Sequence, residues 1–162
     1  MRIPLLPMVR KRGQQVIKRE FTVDGKPQGK GRPRARVRGG KYAQMYTPNN
    51  TREYEKRVQL AYMAAYPNAP KLAGAIKATV IAVFKVPASL SQKKRAALLH
   101  DIWYTKKCDA DNIAKIVLDP LNHLAYDDDS QIAQLYVTKE YGEEEFVRVT
   151  LEELEDGVDV AD

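Results

Sequence analysis

Cysteine is nearly absent. Cys108 stands alone, so no internal disulfide can form, which fits a reducing compartment. Long apolar runs are missing as well; none approaches the roughly 20 residues a membrane-spanning helix needs. The apolar opening is broken at Pro4 and Pro7 and followed by Arg10, Lys11 and Arg12, which makes it too short for a secretory signal core. A cytoplasmic protein with no membrane association is expected. No internal repeat and no second domain are visible, and 162 residues suit one domain with one core. Gly29, Gly31, Gly39 and Gly40 lack the Gly-x-x-x-x-Gly-Lys-Ser/Thr spacing of a phosphate-cradling loop. His100, His123 and Cys108 have no metal-ligand spacing, which argues against zinc. Cys108 has no evident base partner and is expected to pack; His123 is expected at a helix end.

The charge is unevenly divided. Residues 1–57 hold 16 Lys+Arg and 4 Asp+Glu, whereas residues 58–162 hold 11 and 17, so a half at +12 precedes a half at −6. That asymmetry points to a polyanion grip in one half and an acidic feature with its own purpose in the other.

Breakers at Pro4, Pro7 and Gly13 predict a flexible segment over 1–15, and a strand is expected over 16–24. The basic stretch from Lys26 to Lys41 contains Arg34, Arg36 and Arg38 in alternation. With the Gly39-Gly40 turn and Tyr42–Tyr46 it predicts either a two-stranded ribbon with arginines along one side or a disordered basic loop. Lys30, Arg32, Arg34, Arg36, Arg38 and Lys41 are the candidate phosphate contacts in both cases. Tyr54, Val58, Ala61, Tyr62 and Ala65 recur at helical spacing, predicting a helix over 50–66 with a core-facing tyrosine stripe, capped by Asn50 or Thr51. Residues 75–86 read as a central strand, and Gln92–His100 as a short helix capped by Ser89 or Ser91 with Ala97 and Leu98 inward. An extended segment over 102–108 leads to a helix over 111–122. Strands over 131–140 and 145–151 are expected to form an antiparallel hairpin about Tyr141-Gly142, followed by an acidic tail over 153–162.

Acids crowd into residues 109–131: Asp109, Asp111, Asp119, Asp127, Asp128 and Asp129, with Lys115 among them. Asp111, Lys115 and Asp119 share one helix face, opposite Ile113, Ile116 and Val117. A solvated Asp-Lys-Asp ladder accounts for those three alone, with each exposed pair contributing about 0.3–0.5 kcal/mol. Three adjacent aspartates repel one another unless solvent or a cation relieves them. One of them returning to the Asp109/Asp111 pair would complete a set of oxygen donors for a hard divalent cation. Together with the basic arm this reads as phosphodiester hydrolysis, the arm holding the backbone, a bound cation acting as Lewis acid and Lys115 stabilising phosphoryl charge.

The pattern Asp109-x-Asp111-Asn112-x-x-Lys115-x-x-x-Asp119-x-Leu121-Asn122, then Tyr126-x-Asp128-Asp129-Ser130-Gln131, resembles the RusA-like Holliday junction resolvases. Gly29-Lys30-Gly31-Arg32-Pro33-Arg34, Tyr46-Thr47-Pro48 and Tyr54-Glu55 are similar to that family too, and the likeness spans about residues 16–150. The resemblance implies an α+β single domain over 16–152, a mixed sheet with about three helices. It implies a homodimeric, Mg²⁺-dependent endonuclease (Mn²⁺ as substitute ion) that resolves four-way DNA junctions, in a setting often phage-derived. By position its essential acids, the metal ligands, fall on Asp109, Asp111 and Asp129, its essential lysine on Lys115, and a less essential acid on Asp128. Rival readings are a nuclease for flaps or other branched DNA and a non-catalytic DNA-binding module. Two departures carry expectations: Pro120 should bend or end the helix early, and His123 stands where glycine is expected. Asp127 is an acid additional to the motif.

Overall fold

The computed structural model describes residues 16–40 and 42–155. The segment 1–15, Lys41 and the tail from 156 onward, all of which carried expectations above, lie outside the described residues, as does the Arg38 side chain.

In chain order the elements are β1 (Lys18–Asp24), β2 (Arg34–Arg38), β3 (Tyr42–Tyr46), α1 (Asn49–Ala65), β4 (Ile76–Lys85), α2 (Gln92–His100), α3 (Ala110–Leu118), β5 (Ile132–Gly142) and β6 (Phe146–Glu153). Four strands make one mixed sheet in the order β1-β6-β4-β5, with β4 and β5 parallel and the other neighbours antiparallel. β2 and β3 form a separate two-stranded ribbon. The chain is an α+β domain with three helices, as its sequence implied.

β4 lies inside the sheet because every second residue from Ile76 to Phe84 is apolar, and these bury completely or nearly so beside Val147, Val149 and Leu151 of β6 and Phe21 and Val23 of β1. α1 and α3 supply the second layer through Tyr54, Val58 and Tyr62 and through Ile113, Ile116 and Val117. Each such side chain contributes about 1.5–3 kcal/mol when fully removed from water. Ala65, expected on the buried stripe, is exposed at the helix end.

The expected hairpin of the last two strands does not form. β4 inserts between β5 and β6 and bonds to both, Ala82 pairing with Lys139 on one side and Val147 on the other. A strand this apolar is best satisfied by two neighbours. The link from Gly142 to Phe146 therefore passes over the end of β4, where Val86 N donates to Gly142 O at 2.9 Å.

Other local expectations shift for physical reasons. Pro48 occupies the cap position of α1, and neither Asn50 nor Thr51 caps it. The buried Thr51 hydroxyl instead accepts from Gly31 N at 3.1 Å. Ser91 does cap α2, accepting from Lys94 N, but Ala97 and Leu98 are only half-buried because α2 lies beside the edge strand β5. α3 ends at Leu118 and tightens into a 3-10 turn over Asp119–Leu121, since Pro120 has no N–H to continue the helical ladder. His123 then adopts φ +63°, the left-handed region a glycine would enter freely. Pairing continues through Glu153, whose N donates to Ile17 O at 3.0 Å, so the start of the expected tail belongs to the sheet.

Candidate metal centre and nucleic-acid interface

The segment before α3 is anchored by β5. Tyr104 N donates to Lys139 O at 3.2 Å, and Lys139 Nζ donates to the carbonyls of Lys106 and Cys108, both at 2.9 Å. The half-buried Cys108 packs against the core, as expected. This fixes the entry to Asp109, which takes the N-cap position of α3 with extended backbone angles, yet its carboxylate makes no capping bond. Asp111 lies in the first helical turn, exposed; Lys115 follows one turn on, also exposed. Among the described residues Lys115 makes no ion pair, so the Asp-Lys-Asp ladder does not form.

Asp119 is held elsewhere. The Lys30 ammonium bonds to it and reaches Glu55 at 3.2 Å, joining the glycine-rich segment, α1 and the end of α3. Burial pulls the Lys30 pKa down, but the bonds and charges of Asp119 and Glu55 outweigh it and raise the value overall. Lys30 is therefore engaged inside the protein, where a free phosphate contact was expected. It borders an open cleft of about 530 Å³ with Arg52, Lys56, Gln59 and Asp119. The flanking glycines are required by close approach. A Cβ on Gly29 would lie 3.0 Å from Cys108 Cβ and 3.2 Å from Asn112 Cβ, and one on Gly31 would lie 2.9 Å from Thr51 Oγ1. Lys30 N also donates to Asn112 O at 2.9 Å, tying this segment to the first turn of α3.

The three consecutive aspartates divide cleanly. Asp127 pairs with Lys71 at 2.9 Å, and that bond and charge hold its carboxyl below the usual range. Asp128 caps the 3-10 turn Asp129–Gln131, accepting from Ser130 N at 3.3 Å, and its pKa is lowered first by the Ser130 side chain and then by that backbone bond. Gln131 closes the box, its Oε1 accepting from Asp127 N and Asp128 N. Asp129 has neither role. It is exposed, and partial desolvation followed by the charges of Asp128 and Asp119 raises its pKa. Beneath it Tyr126 is fully buried; its hydroxyl donates to Leu118 O at 2.6 Å and ties the acidic turn to the end of α3.

The acids are thus in two groups. Asp129 is close enough to Asp119 and Asp128 to feel their charge. Asp109 and Asp111 sit at the other end of α3, with Asp111 about 12 Å along the helix axis from Asp119 at 1.5 Å per residue. Among the described residues no three His, Cys, Asp or Glu side chains converge into a ready-made metal cage. The donor chemistry nevertheless suits a hard cation: carboxylate oxygens, exposed, uncapped at Asp109 and in mutual repulsion at Asp129.

The basic half supplies the counterpart. The ribbon alternative is the one adopted, with register Arg34↔Tyr46, Arg36↔Gln44 and Arg38↔Tyr42. Cross-strand partners share a face, so the arginine positions lie together. Ala35, Val37, Ala43 and Met45 take the opposite face. Arg32, Arg34 and Arg36 are exposed. Sequence reasoning missed the Lys30–Asp119–Glu55 junction and the bracing role of Gln131. Their only signal was membership in the motif runs Gly29-Lys30-Gly31, Tyr54-Glu55 and Asp128-Asp129-Ser130-Gln131.

A cationic ribbon that attracts a phosphate backbone, in one domain with exposed carboxylates that repel that backbone until neutralised, belongs to the class of nucleic-acid-cleaving proteins. The family model for the endodeoxyribonuclease RusA matches residues 24–152, and the chain belongs to that family. It is also 37% identical over 138 residues to "Uncharacterized protein YqaN" of Bacillus subtilis (strain 168), covering 83% of this chain and 96% of that protein. Among the described residues no helix is long and apolar enough to cross a membrane.

Proposed function

We propose that this chain is a divalent-cation-dependent endodeoxyribonuclease that resolves four-way DNA junctions by paired symmetric nicks, acting as a homodimer. One observation carries the assignment of residues. Of the six acids in the window, Asp119, Asp127 and Asp128 are engaged by Lys30, Lys71 and Ser130, while Asp109 and Asp111 have no such partner among the described residues and Asp129 meets only the neighbouring carboxyl of Asp128. These three are the family-spaced acids, and they are the carboxylates left for Mg²⁺ or Mn²⁺, Asp109 with Asp111 at the start of α3 and Asp129 beyond its end.

When bound, the cation supplies charge neutralisation and Lewis acidity at a phosphodiester. The chain's own residues do the rest. Arg32, Arg34 and Arg36 bind backbone phosphates and fix the strand's position. Lys115, exposed one turn beyond Asp111, neutralises charge developing on the phosphoryl oxygens. The 3-10 turn presents Asp129, braced from below by Tyr126 and laterally by Gln131. A two-fold dimer sets two such sites against opposed strands of a nearly symmetric junction.

The test is cleavage of a labelled four-way junction, a flap and a linear duplex, each with Mg²⁺ or EDTA, by the wild type and Asp129→Asn. Paired nicks confined to the junction and lost in both controls are expected. Binding without cleavage under any divalent ion would refute the enzyme, and preferred cleavage of the flap would favour a different branched-DNA nuclease. Wild-type cutting by Asp129→Asn would refute the site.

A further inference from the structure

We infer that the arginine face of the β2–β3 ribbon is also a base-stacking surface, on which Tyr42 and Tyr46 take up base faces left unstacked at a branch point. This rests on the reading of the protein as a branched-DNA enzyme and deepens it by naming what distinguishes a branch from a plain duplex.

The register carries the argument. Tyr42 and Tyr46 are the cross-strand partners of Arg38 and Arg34, with Gln44 opposite Arg36 between them. The two tyrosine positions of β3 therefore share one face with the arginine positions of β2 across the ladder. Tyr42 is 84% exposed and Tyr46 40% exposed, in contrast to the tyrosines of α1, where Tyr54 and Tyr62 are buried to 1% and 2%. Among the described side chains neither ribbon ring stacks on another ring. Aromatic rings left in water on a separate two-stranded ribbon do little for folding. They are placed to meet something outside the chain.

Charge selects the occupant. Residues 25–52 contain eight Lys+Arg and no Asp or Glu. A second copy of the same face would meet like charge, whereas a nucleic acid offers phosphates to the arginines and π-faces to the rings. Within duplex DNA those π-faces are already occupied by neighbouring bases. They become available where strands separate, so the rings reward branched or single-stranded DNA and are indifferent to a duplex.

Binding of Asp129→Asn protein, which is expected not to cut, is measured in EDTA against a four-way junction, a linear duplex and a single-stranded oligonucleotide at several salt concentrations. The same background then carries Tyr42→Ala with Tyr46→Ala, or Tyr42→Phe with Tyr46→Phe. The alanine pair should bind junction and single strand about tenfold more weakly per ring removed, with duplex affinity and salt slope unchanged. The phenylalanine pair should restore binding, because the ring and not the hydroxyl stacks; circular dichroism confirms that each variant is folded. A 2-aminopurine at the junction centre should be quenched by the parent and the phenylalanine pair but not by the alanine pair. Equal losses on duplex and junction, or no loss at all, would overturn the inference. If the parent shows no preference for the junction, the functional reading fails, and the single-strand arm still decides the stacking: loss on alanine supports it, no loss refutes it.

Discussion

Gln131 is where motif and structure can be tested against each other most sharply. Its side chain makes four hydrogen bonds to backbone. Oε1 accepts from Asp127 N at 2.9 Å and Asp128 N at 3.2 Å, while Nε2 donates to Leu72 O at 3.3 Å and Gly74 O at 3.0 Å. One amide thus clips the acidic turn to the segment entering β4. Gln131→Ala removes all four. The site is half-exposed, so water replaces part of each bond, and about 0.5 kcal/mol apiece is a fair value, about 2 kcal/mol in total. For a domain of this size that corresponds to a fall in Tm of about 4–8 °C. Urea denaturation with linear extrapolation measures it directly. Gln131→Glu is a stricter version. It keeps the acceptor, turns the donor end into an oxygen facing two carbonyls, and adds charge beside three aspartates. It should be no more stable than the alanine variant at pH 7. Because Asp129 is the first residue of this turn, nicking by Gln131→Ala at saturating Mg²⁺ should also fall. A loss under 0.5 kcal/mol, or wild-type nicking by a destabilised variant, would refute the bracing role.

Three further outcomes are expected. The Asp129 carboxyl has a folded pKa above its unfolded value, so its ionised form costs stability above that pKa and the cost disappears as pH falls toward the ordinary carboxylate range. Asp129→Asn should therefore be at least as stable as the metal-free wild type at pH 7, the difference narrowing under acid; a lowered Tm at pH 7 would contradict the repulsion. Arg34→Ala with Arg36→Ala should flatten the slope of log K against log salt by about 2 for duplex binding, and an unchanged slope would remove the ribbon from the phosphate interface. His123→Gly relieves the left-handed strain at φ +63° and should stabilise the protein by about 1 kcal/mol net of glycine's chain entropy, read as a rise in Tm, whereas a fall would show that the imidazole has a compensating contact.

Much of the architecture was legible because it rests on local patterns. The β1 alternation, the α1 stripe, the apolar β4 and the Arg34–Tyr46 ribbon each follow from side-chain period and turn residues, and each is present. The partnership of the last two strands was not legible. Tyr141-Gly142 marks the end of β5 correctly, but a turn residue says nothing about a third strand arriving between its neighbours. That outcome depends on how strongly β4 competes for both ladders. Likewise Pro120 announced the end of α3, and the irregularity at His123 was foreseen as a departure, while its positive φ became visible only in the fold.

The acidic window divides the same way. Its composition and spacing singled out six crowded acids with Lys115 among them, and the family resemblance, read position by position, narrowed these to Asp109, Asp111, Lys115 and Asp129. Only tertiary structure decided which acids are already engaged. The partners of Asp119 and Asp127, namely Lys30 and Lys71, lie 89 and 56 residues away in sequence. Compensation at such range arises from packing the glycine-rich segment and the entry to β4 against the end of α3 and the turn beyond it. No pattern within the window encodes it.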